Sequence, residues 1–217
     1  MEQLSVLTVS HYWRMKMTKI IGLTGGIASG KSTVSNLLRL SGYPIIDADQ
    51  ITRQLQAAHS KGWEQLITVF GKQILNPDQT LNRQALGALV FNDQEKLDKL
   101  NMVMQPLICD EIWRQIKHYQ KQHIPYVILD IPLLFEANYA NDCDLVIVVV
   151  VDRQTQLQRL MQRNGYSQFE AEQRINSQMS LAKKKRLADI VIDNSGNRDE
   201  LKRQVANLID QMHHHKL

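Results

Sequence analysis

The sequence predicts an α/β protein whose core is a mostly parallel sheet of about five strands flanked by helices. Two observations lead to this prediction. The clearest strand signals are continuous apolar runs, as expected where helices cover both faces of a sheet. Helical patterns alternate with these runs in the first and last parts of the chain, which is typical of connections between parallel strands. The middle of the chain has only helical signals and is predicted to be a helical insertion.

The first unit of the predicted fold is a strand, a glycine-rich loop, a helix and a second strand. The run from Lys19 to Thr24 is rich in β-branched residues and stops at a pair of glycines. A helical pattern then covers Lys31 to Leu40 and ends at Ser41-Gly42, the usual position of a C-terminal glycine. A second strand begins at Pro44 and ends in Asp47-Ala48-Asp49. This order predicts a right-handed βαβ unit.

The middle section, about residues 50–122, has several helical patterns and no clear strand signal. Its longest pattern runs from Asp93 to Tyr119 and places eight apolar residues on one face. Pro106 lies inside that pattern and should kink or break it. The sequence leaves open whether this segment is one bent helix or two.

The last part of the chain returns to strand and helix signals. The predicted elements are strands over Tyr126–Ile131 and Leu145–Val151, a helix with Leu157, Leu160 and Met161, a polar helix over about Ser167–Ser177, a short strand over Ile190–Ile192 and a closing helix to about Met212.

Composition excludes a membrane-spanning or disulfide-stabilised protein. The 217 residues are 43% hydrophobic and 22% charged, enough for one sizeable core. The longest apolar run, Leu145–Val151, is far below the roughly 18 residues of a membrane span. Cys109 and Cys143 lack the spacing of a zinc site or a disulfide framework. These features predict a cytoplasmic protein without a membrane partner.

The N-terminal residues do not resemble a secretory signal, because they lack a long apolar core and a cleavage site. We expect residues 1–16 to be a disordered leader and residues 17–217 to form a single domain. The net charge of +4 is mild and does not by itself predict a nucleic-acid partner. The oligomeric expectation is a monomer or a weak homo-oligomer.

The glycine-rich loop carries the strongest functional signal. Residues 25–32, GGIASGKS, match the phosphate-binding pattern GxxxxGK[ST] and lie between a predicted strand and a predicted helix. Glycines leave backbone N–H groups open to phosphate oxygens, and the helix that follows adds the positive end of its dipole. Lys31 would contact the β and γ phosphates, and the Ser32 hydroxyl would bind Mg²⁺. The loop therefore predicts a nucleotide-triphosphate site in a P-loop NTPase fold.

Three aspartates at predicted strand ends are further candidates. Asp47 or Asp49 could accept a proton from an attacking hydroxyl or organise Mg²⁺, and either could instead cap the next helix. Asp130 could hold Mg²⁺, or it could be a turn residue before Pro132. The sequence leaves these alternatives open.

Basic residues are frequent in the last third of the chain. Phosphoryl transfer needs positive charge around the migrating group, so these residues predict a lid, although each could also lie on a solvated helical face. Arg159 and Arg163 are four residues apart and share a helix face. No aromatic residues are interleaved with the run Lys183–Arg186, which argues against a nucleic-acid surface.

These features favour a kinase that acts on a small molecule. No NKxD guanine-binding motif follows the late strands, and the chain is short for a motor ATPase. Two alternatives remain at this point: a kinase of another small acceptor, such as shikimate or a nucleoside monophosphate, and a nucleotide-regulated binding module without catalytic activity.

The motifs together resemble the dephospho-coenzyme A kinase family over roughly residues 19–209. The matching segments are LTGGIASGKST from Leu23, IDAD from Ile46, FGKQIL, TLNRQALGALVF, IPLLFE from Ile131, RLMQRNG from Arg159, RINSQMS from Arg174 and ADIVIDNSG from Ala188. The resemblance implies ATP-dependent phosphorylation of the ribose 3′-hydroxyl of dephospho-CoA, the final step of coenzyme A biosynthesis, with Mg²⁺. It also implies a nucleotide core, a CoA-binding helical insertion over about residues 60–122 and a lid over about residues 153–188.

The resemblance also assigns roles to residues of this sequence. The ATP site would comprise Gly25, Gly26, Ile27, Ala28, Ser29, Gly30, Lys31, Ser32, Thr33 and Asn194. The catalytic group would comprise Asp49 as the base with Lys31, Arg159 and Arg163. The acceptor substrate would be bound by Asp47, Asp49, Arg83, Phe91, Gln105 and Arg174, and the metal by Ser32 and Asp130. Gln178 matches a position close to the lid.

The sequence departs from the family pattern at Gln105, which stands where the usual motif HPLI has histidine. An amide can hydrogen-bond but cannot carry a proton at neutral pH. The substitution argues against an acid–base role at this position, whereas a binding or structural role could survive.

Overall fold

The computed structural model describes residues 18–91, 93–214 and 217. The predicted leader over residues 1–16 lies outside them. The described chain divides into two compact units. One contains the residues up to Ile46 together with Tyr119–Leu217, and the other contains Asp47–His118. The predicted insertion over about residues 60–122 falls largely within the second unit, which begins earlier, at Asp47.

The described residues form one five-stranded sheet. Its strands are β1 (Lys19–Gly25), β2 (Ile45–Asp47), β3 (Tyr126–Asp130), β4 (Leu145–Val150) and β5 (Ile190–Asp193). Their order across the sheet is β2-β3-β1-β4-β5, so β1 is central. It pairs in parallel with β3, where Leu23 lies opposite Asp130, and in parallel with β4, where Gly25 lies opposite Val149. The predicted α/β class and parallel sheet are confirmed.

The α-helices of the described residues follow in chain order. They are α1 (Lys31–Leu40), α2 (Ala48–Leu55), α3 (Lys61–Phe70), α4 (Arg83–Phe91), α5 (Gln94–Lys121), α6 (Arg153–Asn164), α7 (Gln168–Asn176), α8 (Leu181–Arg186) and α9 (Arg198–His213). Short 3₁₀ turns cover Lys72–Ile74 and Tyr139–Asp142. The basic run Lys183–Arg186 lies in α8, a helix that apolar periodicity did not indicate because it is six residues long.

The main apolar core of the sheet unit lies between the sheet and two helices. Side chains of β1, β3 and β4 pack with α1 and α9, and Ile21, Leu23, Leu38 and Ile128 are fully buried. Alternate strand residues such as Ile21 and Leu23 belong to this core, so α1 and α9 cover one face of the sheet. The intervening residues, such as Val127 and Leu129, are buried as well, which accounts for the unbroken apolar runs. The packing fixes the end of β1, where the glycine-rich loop begins.

The second unit is helical and has its own apolar core. Leu66, Ile74, Leu86 and Met104 are among its buried members. The helix α5 is 28 residues long and continues through Pro106, so the predicted segment is one helix and not two.

No helix of the described residues combines the length and the apolar character that crossing a bilayer requires.

One cysteine of the sheet unit is chemically shielded. The thiol of Cys143 donates a hydrogen bond to the carbonyl of Tyr139, 3.3 Å away. Burial, reinforced by the charges of Asp142 and Asp144, raises the pKa of this thiol to about 12. The thiolate is therefore scarce at neutral pH, and Cys143 is unsuited to act as a nucleophile.

Candidate active site

The predicted phosphate-binding loop connects β1 to α1, as its motif requires. Gly30 is the N-cap of α1 and has a left-handed backbone conformation, with φ of 92°. The first turn of α1 contains no acidic residue, so its positive dipole end is not neutralised locally. Ile27 and Ala28 pack against the cluster formed by Leu160, Ala171 and Ile175. The loop thus presents a helix N-terminus suited to phosphate and is backed by an apolar support.

Asn194 closes the loop from the end of β5. Its side-chain amide donates a hydrogen bond to the carbonyl of Ser29 at 2.8 Å, and the residue is 8% exposed. The backbone of Gly30 lies directly against this amide, since a Cβ at position 30 would approach Asn194 Nδ2 to 2.0 Å. The contact requires glycine at position 30 for space as well as for its positive φ.

Gly30→Ala is expected to destabilise the protein and weaken ATP binding. A left-handed alanine costs about 1–2 kcal/mol, and displacing the buried Asn194 amide costs about 1–3 kcal/mol more. Gly42→Ala is the matched control, because Gly42 has φ of 89° but nothing within 4 Å of an added Cβ. Urea unfolding and calorimetric ATP titration would measure both variants. Equal losses of stability and an unchanged ATP affinity would contradict the contact argument.

Two glutamine side chains form hydrogen bonds with the loop backbone at Ile27. The Ile27 amide donates to Gln178 Oε1 at 2.9 Å, and the Ile27 carbonyl accepts from Gln156 Nε2 at 2.8 Å. Gln178 had matched only a position close to the lid, and Gln156 was missed by the sequence analysis. Beside the loop is a cavity of about 500 Å³, lined by residues that include Gly26, both glutamines and Arg153. Its size is within the range of small-molecule pockets.

Lys31 and Asp130 form an ion pair between Lys31 Nζ and Asp130 Oδ1. Their side chains are only 18% and 5% exposed. The pairing follows from the sheet register, since β1 leads into the loop and Asp130 ends the adjacent strand β3. Ser32 is exposed in the first turn of α1. The structure therefore brings two predicted phosphate and metal residues into contact.

The predicted arginines differ in their surroundings. The Arg159 guanidinium donates to the carbonyl of Asn194 at 3.1 Å, which links α6 to the residue that closes the loop. Arg163 is exposed at the end of α6 and donates to Asn164 Oδ1. Arg174 lies over the ring of Tyr166, with 4.5 Å between its Cζ and the ring centroid. Of the three, Arg159 is the one that contacts Asn194, the residue bonded to the nucleotide loop.

The two aspartates after β2 have distinct positions. Asp47 is the N-cap of α2, and its carboxylate accepts from the Gln50 amide at 2.9 Å. Asp49 is exposed in the first turn of the same helix. The capping alternative that the sequence left open therefore applies to Asp47.

The remaining predicted acceptor residues lie on α4 and α5. Arg83 donates from Nε to Gln56 Oε1 at 3.2 Å, and Phe91 is 84% exposed. Gln105 is exposed on α5, one residue before Pro106. A phenylalanine with so large an exposed fraction is a candidate for contact with an apolar part of a ligand.

Comparison with known proteins identifies the family. A sequence model described as CoaE, dephospho-CoA kinase, matches residues 19–200. The chain belongs to the dephospho-CoA kinase family. A dephospho-CoA kinase of Oceanobacillus iheyensis is 46% identical over 195 residues, covering 90% of this chain and 98% of the relative. One of Carboxydothermus hydrogenoformans is 45% identical, covering 91% and 96%.

Solved structures agree with this dephospho-CoA kinase fold. A crystal structure from Thermus thermophilus is 33% identical, with a TM-score of 0.78, and covers 90% of this chain and 98% of its own. The structure titled dephospho-CoA kinase from Campylobacter jejuni is 26% identical with a TM-score of 0.63, and the coverage is the same. The predicted P-loop kinase fold is therefore confirmed.

Proposed function

We propose that this chain transfers the γ-phosphoryl group of ATP to the ribose 3′-hydroxyl of dephospho-CoA, giving coenzyme A and ADP. Family membership over residues 19–200 carries the proposal. The reaction is the final step of coenzyme A biosynthesis, and its two substrates are ATP and dephospho-CoA. The protein is a kinase, and the absence of a nucleic-acid or membrane partner stays a prediction. A cytoplasmic location and a monomer or weak homo-oligomer remain predictions.

The loop supports the ATP half of the reaction. Phosphoryl transfer has a loose transition state, so the protein contributes mainly positioning and neutralisation of charge. The backbone N–H groups at the start of α1 can bind phosphate oxygens, and the Lys31 ammonium can follow the β and γ phosphates. Asn194, Gln156 and Gln178 hold the loop backbone by direct hydrogen bonds. A loop held in this way loses little freedom when ATP binds, which favours affinity.

Mg²⁺ fits this site as an ion shared with the nucleotide. No group of three or more His, Cys, Asp and Glu residues suited to a metal occurs in the described part of the chain. Mg²⁺ needs no such cage, because it commonly binds through one or two carboxylates, water and substrate phosphates. Asp130 and the Ser32 hydroxyl would hold it, and the ion would supply charge neutralisation at the phosphates. Lys31, paired with Asp130 here, would then turn toward the nucleotide.

The acceptor half involves residues of the second unit together with Arg174 and the lid residues of the first unit. Asp49 would accept the proton of the 3′-hydroxyl as that oxygen attacks. Asp47, Arg83, Phe91, Gln105 and Arg174 would bind dephospho-CoA. The insertion over about residues 60–122 would supply the CoA site, and the segment over about residues 153–188 would act as a lid with Arg159 and Arg163 near the transferred group.

Release of ADP by the purified protein tests the proposed function. The assay would contain ATP and Mg²⁺ with dephospho-CoA, adenosine, AMP, shikimate or no acceptor, and mass spectrometry would identify the product. We expect release that depends on dephospho-CoA and adds one phosphate to it. Release with another acceptor only, or ATP binding without any transfer, would contradict the assignment.

A further inference from the structure

Lys184 is the most deeply buried cation of the described residues that the proposed mechanism does not use. It lies on α8 within the basic run that the sequence analysis assigned to the lid, yet its side chain is 0% exposed. Burying an ammonium group is unfavourable unless each of its three N–H donors finds a partner. The surroundings supply three oxygens: the Pro132 carbonyl at 3.0 Å, Glu136 Oε1 at 3.0 Å and the Gly25 carbonyl at 3.3 Å.

The contact with Gly25 follows from how the sheet ends. The Ile131 amide donates to the Leu23 carbonyl at 3.1 Å and continues the pairing of β1 with β3. Carbonyls two residues apart on a strand point to the same side, so the Gly25 carbonyl is the next acceptor along this edge. The amide in register with it belongs to Leu133, two residues after Ile131, but β3 ends at Asp130 and residues 132–138 form a turn that leaves the sheet. Lys184 supplies the missing donor at the residue where the phosphate-binding loop begins.

The same part of the chain contacts the loop at two further places. Gln178 accepts from the Ile27 amide, and the Gly26 backbone lies against Leu181, whose Cγ would be 3.0 Å from an added Cβ. Glu136 accepts from the Met179 amide at 3.0 Å as well as from Lys184. Residues 178–184 therefore hold successive residues of the loop, from Gly25 to Ile27, and they also hold the turn that follows β3.

We propose that Lys184 is a positioning residue for ATP: its buried ammonium fixes the Gly25 carbonyl and so sets the conformation in which the loop amides meet the phosphates. Misplacement of binding groups by about 1 Å can cost two orders of magnitude in rate. This inference deepens the proposed function on its nucleotide side. It does not depend on the identity of the acceptor.

The test separates positioning from stability with two variants. Lys184→Met keeps a side chain of similar length but removes the ammonium donor from the Gly25 carbonyl and the cation from Glu136. The Pro132 carbonyl keeps the Thr24 hydroxyl as a donor, 2.9 Å away. Lys184→Met/Glu136→Gln also removes the unpaired carboxylate and keeps an acceptor for the Met179 amide. The matched control is Lys202→Met, the same change at a residue whose side chain is 63% exposed on α9.

Calorimetric titration with MgATP and thermal unfolding would be measured for each variant. We expect Lys184→Met to weaken ATP binding tenfold or more and to lower Tm. The double variant should regain Tm while its ATP affinity stays at least tenfold weaker than wild type, and Lys202→Met should stay within twofold of wild type. The proposal is overturned if ATP affinity is unchanged, if it follows Tm across the variants, or if neither Lys184 variant folds.

The acceptor assay on the wild-type protein keeps the two proposals apart. Wild-type protein that binds ATP but does not phosphorylate dephospho-CoA would refute the proposed function and leave the Lys184 comparison intact. Transfer by the wild type together with unchanged ATP affinity in Lys184→Met would refute the positioning role alone.

Discussion

Asp49→Asn is expected to lower turnover by about 10²–10⁴-fold, the usual contribution of a general base. Asparagine has the same shape but cannot accept the proton of an attacking hydroxyl at neutral pH. The KM for ATP should change little, since the nucleotide loop is formed by other residues. The measurement is steady-state ADP release at saturating dephospho-CoA, with ATP varied.

Stability should change little in this variant. Asp49 is exposed in the first turn of α2, where a carboxylate contributes about 0.3–1 kcal/mol through the helix dipole. Glu64→Gln is the matched control, because Glu64 is also exposed in the first turn of a helix, α3, and has no proposed role in the reaction. Near-normal turnover in folded Asp49→Asn protein would exclude Asp49 as the base.

Lys31→Ala is expected to lower kcat/KM for ATP by about 10²–10³-fold, because a preorganised donor to the transferred phosphoryl group is lost. The same change leaves the Asp130 carboxylate, whose side chain is 5% exposed, without its cation. An unsatisfied buried acceptor costs about 1–3 kcal/mol, so the free energy of unfolding should fall as well.

The double variant Lys31→Ala/Asp130→Asn distinguishes the two effects. Removing the carboxylate charge should restore most of the stability and none of the activity. Lys96→Ala is the control for loss of an ion-paired lysine, since the pair Lys96–Asp93 is exposed and such pairs contribute about 0–1 kcal/mol. Recovery of kcat/KM in the double variant, or wild-type activity in Lys31→Ala, would rule out the phosphate role.

Features encoded by neighbouring residues were predictable from the sequence. The phosphate-binding loop, the strand before it and the helix after it depend on local patterns and on glycine conformation, and the structure confirms all three. The sheet as a parallel five-stranded layer was also predictable, because unbroken apolar runs indicate strands covered on both faces. The order of the strands was not, because periodicity does not record which strands are neighbours.

Contacts between distant segments explain what the sequence analysis missed. The sequence analysis placed Lys184 in a charged lid with the other basic residues. Its burial could not be predicted, because two of its three partners are backbone carbonyls, which leave no signature in the sequence. Gln156 was missed for the same reason, since it holds the backbone of Ile27. Pro106 suggested a break, but α5 continues through it. Local propensity at that position is overridden by the rest of the helix and its packing.

The central place of β1 in the sheet has a consequence for synthesis of the protein. Its neighbours β3 and β4 come much later in the chain, and Gly25 reaches its partner Val149 only when β4 has left the ribosome. Synthesis proceeds at roughly 5–20 residues per second, so the apolar side chains of β1 stay without their strand partners for several seconds. The helical unit 47–118, whose helices follow one another directly, can form during that interval. The nascent chain is therefore most in need of a chaperone before the nucleotide site exists.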